Sequence, residues 1–292
     1  MTRIADLLAR GRTFSFEFFP PKTDDGDRAL RDALNELEPL EPSFVSITYG
    51  AGGSTRERTH RLVVDLLRNT SMTPMAHLTA YAHSRDELRT ILVRYRDAGV
   101  ENILALRGDP PRDDPDAPPG DLEFALELVE MARDVGGEQF AVGVAAHPEC
   151  HPLSPDRTED RKHLAAKLLA ADFGITQFFF RAHDYLRMVD ELAELGCDRP
   201  VIPGIMPITN VSQIERFAAL SGAAVPSELA ARLHAVENDP AKVRRIGVEH
   251  ATALCQELLD AGAPGLHFYT LNRSRATRTI YAELGLGPQP NP

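Results

Sequence analysis

The stretch TFSFEFFPPK, residues 13–22, sets one carboxylate, Glu17, among four phenylalanines before two prolines stop the run. Alternation along an extended chain puts Phe14, Phe16 and Phe18 on one face and Ser15 and Glu17 on the other. Partial desolvation disfavours the charged form of such an acid, so its place suits a general acid. Paired with an arginine such as Arg107, the same residue would be a structural brace, and this stretch alone fits both readings. Other chemistry-bearing residues gather at the ends of apolar runs: Thr48 and Tyr49, His77 and Thr79, Arg107, Gly108 and Asp109, Gln177, then Tyr269, Thr270, Asn272 and Arg273. His77 alone reads as a hydrogen-bonded core histidine, and the RGD string at 107–109 as an ion pair. His147, Glu149 and His151 form a local set resembling metal ligands, but Pro148 and Pro152 break any regular ligand face, so no metal is expected. Cys150, Cys197 and Cys255 sit in no motif with an evident base, which argues against a thiol nucleophile.

Eight short apolar runs position these residues: FSFEFF (14–19), FVSITY (44–49), PMAHLT (74–79), NILALR (102–107), FAVGVAA (140–146), GITQFFF (174–180), PVIPGIM (200–206) and GLHFYT (265–270). Helix-periodic segments such as RTHRLVVDLLRN and RDELRTILVRYRDAG lie between them. Strand and helix alternating eight times predict a closed parallel (β/α)8 TIM barrel, with an open doubly wound sheet as the alternative. That alternative lacks its fingerprint, because GAGGST at 50–55 carries Thr55 where a third glycine belongs. Extra helices are expected around 212–221, 226–236 and 240–261, before the last strand. The acidic, proline-rich stretch 109–121 reads as an excursion over one barrel mouth. Residues 1–292 read as one catalytic domain, with a frayed tail at 286–292. In such a barrel the catalytic groups belong where strands run into the loops that follow them, and the polar residues above fall there.

The totals exclude some classes. A formal charge of −11, from 43 acids against 32 bases, lacks the basic footprint of nonspecific nucleic-acid binding. Three widely spaced cysteines suggest reduced thiols in a cytoplasmic protein, the first residues are too charged for a secretory signal, and no run has the length of a membrane span. Small-molecule ligands are expected; homo-oligomerisation stays open. A barrel aldolase would want a Schiff-base lysine, yet Lys22, Lys162, Lys167 and Lys242 all lie outside the strand runs.

The segments FSFEFFPPKT, FVSITYGAGGSTRERT, AHLTA, ILALRGDPP, AAHPECHP, ITQFFF, VIPGIMPITN and LHFYTLNRS, in order from about residue 14 to 275, resemble methylenetetrahydrofolate reductase in its short bacterial form. The resemblance implies a TIM barrel that reduces 5,10-methylenetetrahydrofolate to 5-methyltetrahydrofolate, the methyl donor for methionine synthesis, with a nicotinamide nucleotide as reductant. It implies Glu17 as the acid that opens the folate ring, Asp109 and Gln177 near the pterin, Phe217 stacked on the substrate, and Arg273 beside the anionic tail. Thr48, Tyr49, His77, Arg107, Gly108, His147, His151, Asp160 and Lys167 fall at positions implied to bind the cofactor.

In the flavoprotein members FAD lies across the barrel mouth, and here the match weakens. His147 stands where those members commonly have tyrosine, Phe124 replaces another tyrosine, Ala166 cannot supply charge, and the stretch 167–172 is one residue short and lacks its glycine. These departures surround one ligand, so the expectation leans towards NADH or NADPH giving hydride directly to folate, with a bound FAD as the alternative. A folate- or nucleotide-binding barrel without turnover is the reading from another class.

Overall fold

The structure, a computed structural model, describes residues 2–50, 55–110, 114 and 116–287. Eight parallel strands close into a barrel in chain order, as the alternation predicts, and the open-sheet alternative falls. They are β1 (Thr13–Phe18), β2 (Phe44–Ile47), β3 (Pro74–Thr79), β4 (Asn102–Leu106), β5 (Ala141–Ala146), β6 (Phe173–Phe178), β7 (Val201–Ile205) and β8 (Gly265–Tyr269). Helix α1 (Ile4–Arg10) precedes β1. The layer outside the barrel holds α2 (Asp24–Leu37), α3 (Arg56–Asn69), α4 (Arg85–Asp97), α5 (Ala125–Gly136), α6 (Arg157–Ala170) and α7 (Ala182–Glu194), one after each strand from β1 to β6. Three helices follow β7 — α8 (Val211–Ser221), α9 (Ser227–His234) and α10 (Pro240–Asp260) — and α11 (Arg275–Leu284) follows β8.

The expected strand boundaries hold to within two residues. The two-residue shifts are at FVSITY, where β2 stops at Ile47, and at GITQFFF, where β6 stops at Phe178 and the next two phenylalanines leave the sheet. Phe179 stacks on Tyr185 with ring centres 5.9 Å apart, while Phe180 joins a cluster with α8 and α10. The helices start where side chains satisfy their first N–H groups. Ser84 and Glu87 form a reciprocal box at α4, Asp156 caps α6, and Asn210 caps α8.

Side-chain alternation sorts the strands into two cores. Outward residues such as Phe16, Phe18, Ile47 and Leu78 pack against the helices, with Tyr281 of α11 5.2 Å from the Phe16 ring. Inward residues Phe44, Met75, Phe173 and Ile202 fill the lower barrel, which Ile4 of α1 closes. Asn102 accepts the Ile4 N–H at 2.7 Å, fixing that plug. The end where the strands start is therefore filled, and a ligand can enter only where they finish.

The last part of the 109–121 excursion packs on the turn after β3: Ala82 N–H donates to Pro119 O and Tyr81 OH to Ala117 O. Residues 111–113, 115 and the glycine-rich 51–54 lie outside the described residues. So does 288–292 of the tail expected to fray, whereas Leu286 is held, its N–H on Tyr281 O and its side chain against the core. Among the described residues no helix is long and apolar enough to cross a membrane.

Candidate active site

A cavity of about 390 Å³ opens at the strand ends, lined by Glu17, Thr48, His77, Asp109, His147, Gln177 and Phe217. Strand alternation puts Glu17 there, as its sequence predicts. Its register partners are Ser46 and Tyr269, and its side chain keeps 19% of its exposure. Glu17 Oε2 faces His77 Nε2 at 3.5 Å and His267 Nε2 at 3.6 Å, and Ser46 Oγ donates to it at 3.4 Å. Among the described residues these two imidazoles are its ion-pair partners, so the arginine-brace reading falls. A neutral imidazole can accept from a carboxylic acid and donate to a carboxylate; a guanidinium can only donate.

Burial lowers His77 to about 4, although Glu17 pulls the other way, so its ring is neutral at pH 7. His77 Nε2 and Thr79 Oγ1 are buried without hydrogen-bond partners, as expected of groups that await a ligand. Tyr269 lines the wall next to Glu17. Its hydroxyl donates to Thr176 O at 2.5 Å, and burial raises it far above the usual phenol range. Gln177 sits at an irregularity in the β6–β7 pairing between Ile175 and Phe178. Such bulges re-aim side chains near sites. Its Oε1 accepts the Phe178 N–H, which leaves its amide N–H groups for a ligand.

The opposite wall comes from the loops after β4 and β5. Gly108 adopts φ +82, and a Cβ on it would lie 2.7 Å from Thr79 Cβ, so only glycine makes the turn that brings Asp109 to the rim. Arg161, almost fully buried, donates to three successive carbonyls, those of His147, Pro148 and Glu149, while pairing with Asp160 and Glu191. It thereby holds the loop that turns His147 into the cavity. The His147 ring meets His151 edge to face at 4.5 Å. Burial lowers His147 to about 3 and His151 below its ordinary value, leaving both uncharged at neutral pH. Lys167 Nζ donates to Ala145 O at 2.7 Å, and burial lowers it to about 8. The Glu149 carboxylate accepts Ala224 N–H, and the described residues hold no group of three metal-ligating side chains.

Several residues expected at the cofactor or substrate lie off the cavity wall. Tyr49 follows Thr48 and so points the other way. It packs in the helix layer with its hydroxyl 3.1 Å from His83 Nε2. Asp160 is occupied by Arg161, Arg107 and His151 are not among the lining residues, and Gly108 contributes a turn. Arg273 is exposed beyond Leu271, the last cavity residue of that loop. Phe124 is 51% exposed and stacks on His163, and Ala166 is exposed. The sequence reading missed His267, which could have been found by counting two residues back from Tyr269, and it set Ser15 on the Glu17 face without giving it a role. It also missed the apolar wall of Leu104, Ile175, Met206 and Leu220.

The family model described as methylenetetrahydrofolate reductase matches residues 2–285. A 5,10-methylenetetrahydrofolate reductase of Pectobacterium carotovorum subsp. carotovorum is 37% identical over 98% of this chain and 94% of its own length. The Arabidopsis thaliana protein named methylenetetrahydrofolate reductase (NADH) 1 is 35% identical over 97% of this chain, which spans 50% of that longer protein. Among solved structures, a Clostridium thermocellum protein described as binding two copies of 5-methyl-5,6,7,8-tetrahydrofolic acid shares the fold. Its TM-score is 0.64 at 13% identity, over 96% of both chains.

Proposed function

The chain belongs to the methylenetetrahydrofolate reductase family of oxidoreductases, and from that premise we propose that it reduces 5,10-methylenetetrahydrofolate with hydride taken directly from a nicotinamide nucleotide, Glu17 supplying the proton. The observation that carries this reading is the position of Glu17, an acid at the cavity wall whose neighbours are imidazoles rather than a fixed cation.

The substrate holds its one-carbon unit in a five-membered ring between the pterin nitrogen and the aryl nitrogen. Proton transfer from Glu17 to the aryl nitrogen breaks the bond from that nitrogen to the methylene carbon and leaves an iminium on the pterin nitrogen. Hydride from the dihydronicotinamide then adds to the methylene carbon with both electrons, giving the methyl group and oxidised nicotinamide. The carboxylate left on Glu17 regains a proton from solvent. General acid catalysis of this kind is worth roughly 10²–10⁴ in rate. Gln177 would bind the pterin through its free amide N–H groups, with Asp109 near it. Phe217 would stack on the aryl ring, and Arg273, exposed at the edge, would meet the anionic tail. Thr48, His77 and His147, which line the same cavity, would face the nicotinamide.

The loop after β5 and the helix α6 that follows it fit a flavin dinucleotide poorly. Lys167 is turned onto Ala145 O, Asp160 is spent on Arg161, and the His147–His151 pair stands where an aromatic wall would be needed. These contacts support direct transfer, and the NADH in the name of the Arabidopsis relative supports NADH as donor. The test is the visible spectrum of the purified protein together with anaerobic NADH oxidation by methylenetetrahydrofolate. A colourless protein that turns over is expected. Stoichiometric bound flavin would replace direct transfer by a flavin-mediated cycle, and absence of NADH oxidation would leave only a binding role.

A further inference from the structure

Beneath Glu17 lie buried polar groups that the proposed reaction does not use by itself. His267 on β8 has no exposure, and its ring is held between Phe44, stacked at 5.8 Å, and Tyr269, edge-on at 5.4 Å. Its two nitrogens have different partners. Nδ1 lies 2.8 Å from Ser15 Oγ, directly across the β1–β8 pairing, while Nε2 faces Glu17 Oε2 at 3.6 Å and Ser46 Oγ at 3.4 Å. Ser15 Oγ has a further acceptor in Leu266 O at 3.4 Å.

We propose that His267 is a positioning residue for the Glu17 proton, held by Ser15 in the one tautomer that donates to Glu17 Oε2. The Ser15 hydroxyl donates to Nδ1, so the ring proton sits on Nε2 and faces Glu17 Oε2. When Glu17 is protonated, its proton sits on Oε1, turned to the substrate, and Oε2 accepts from Nε2–H. When that proton has passed to the aryl nitrogen, the same Nε2–H donates to the carboxylate. The ring carries one proton throughout, so the only proton leaving the cluster is the one that opens the folate ring. At 3.6 Å the Nε2–Oε2 approach is longer than a hydrogen bond, and it shortens when substrate closes the site.

The titratable groups that face Glu17 are His77 from β3 and His267 and Tyr269 from β8. Asp109 and His147 line the same cavity from the loops after β4 and β5. His77 Nε2 lies as near to the same oxygen, at 3.5 Å, but among the described residues no hydroxyl holds its Nδ1 as Ser15 holds that of His267.

The inference rests on the reading of Glu17 as the acid, and its test separates the two. His267→Asn keeps an amide near Ser15 and removes Nε2; His267→Gln keeps a polar group near Glu17. A hydrogen bond to a charged group is stronger than one to a neutral group, so losing Nε2 costs the carboxylate more than the acid. In His267→Asn, kcat is expected to fall about tenfold, the size of one such bond, with the folate KM within about twofold. The alkaline limb of the kcat–pH profile should move to higher pH. The infrared carbonyl band of protonated Glu17, identified by subtraction of the Glu17→Gln spectrum, should persist to higher pH. His267→Gln should recover most of the rate and the wild-type band. Ser15→Ala, which leaves ring packing intact, should move the band the same way by less, and serves if His267→Asn does not fold. An unmoved band and profile in His267→Asn and Ser15→Ala overturn the proposal, as does an equal loss of rate in both His267 variants. The infrared arm needs no turnover, so a wild-type protein without reductase activity would sink the proposed reaction while the band still decides the pairing.

Discussion

The backbone N–H of Ala224 donates to Glu149 Oε1 at 3.2 Å, tying the loop after β5 to the chain that leaves α8. That helix presents Phe217 and Leu220 to the cavity. One carboxylate therefore braces the wall on which the substrate's aryl ring would stack. Burial pushes Glu149 up from the ordinary carboxylate range, so its acceptor oxygen is kept in either protonation state. Glu149→Ala should raise the folate KM about fivefold, the worth of one net hydrogen bond, and change kcat little. Glu149→Gln should keep the wild-type KM; steady-state kinetics of both variants decide it.

Glu17→Gln preserves size and a hydrogen-bonding face but has no acidic proton to give. Turnover should fall by roughly 10²–10⁴ while folate still binds. Equilibrium binding measured beside kcat checks both halves, and a near-normal rate would remove Glu17 from the chemistry.

His77 and His147 are held neutral by burial, lowered to about 4 and about 3, whereas unfolded histidine titrates at about 6.5. Between those values and 6.5 the unfolded chain binds more protons than the folded one, so stability rises with pH there and falls as pH drops from 6.5 towards 4. Two such groups correspond to a few kcal/mol in total, as an order of magnitude. Urea unfolding at pH 5 and pH 7.5 should show the loss, and His77→Gln should make the dependence shallower.

Lys167 is half-buried as a residue, and its ammonium, turned inward, has one carbonyl acceptor and, among the described residues, no carboxylate at ion-pair distance. Its lowering to about 8 means that folding is opposed by its charge at neutral pH. Lys167→Met should raise the melting temperature at pH 7, and the gain should shrink as pH rises from 8 towards 10.5, where the wild-type lysine folds uncharged. A lower melting temperature for the variant at pH 7 would show that the bond to Ala145 O outweighs the burial of the charge.

Local pattern was enough wherever geometry repeats. Period-two alternation aimed Glu17 inward and its flanking phenylalanines outward, and eight apolar runs separated by helix periodicity gave the barrel to within two residues at each strand end. The same rule put Ser15 beside Glu17; applied strictly, it would also have sent Tyr49 away from the cavity once Thr48 was assigned to it, and would have found His267. Arg107, Asp160 and Arg273 were placed by their position in chain order at strand ends and loops, which says nothing of where a long side chain goes. Asp160 turns to Arg161, a residue whose role in holding three carbonyls no sequence spacing announces.

The sequence by itself determined the closed barrel, the end at which its chemistry gathers, and the inward acid on the first strand, because these follow from periodicities of two and 3.6 residues along the chain. Only the tertiary structure decided what stands beside that acid. Ser46, His77 and His267 lie on three different strands, and they meet Glu17 through barrel closure and strand register, which depend on packing between segments up to 250 residues apart.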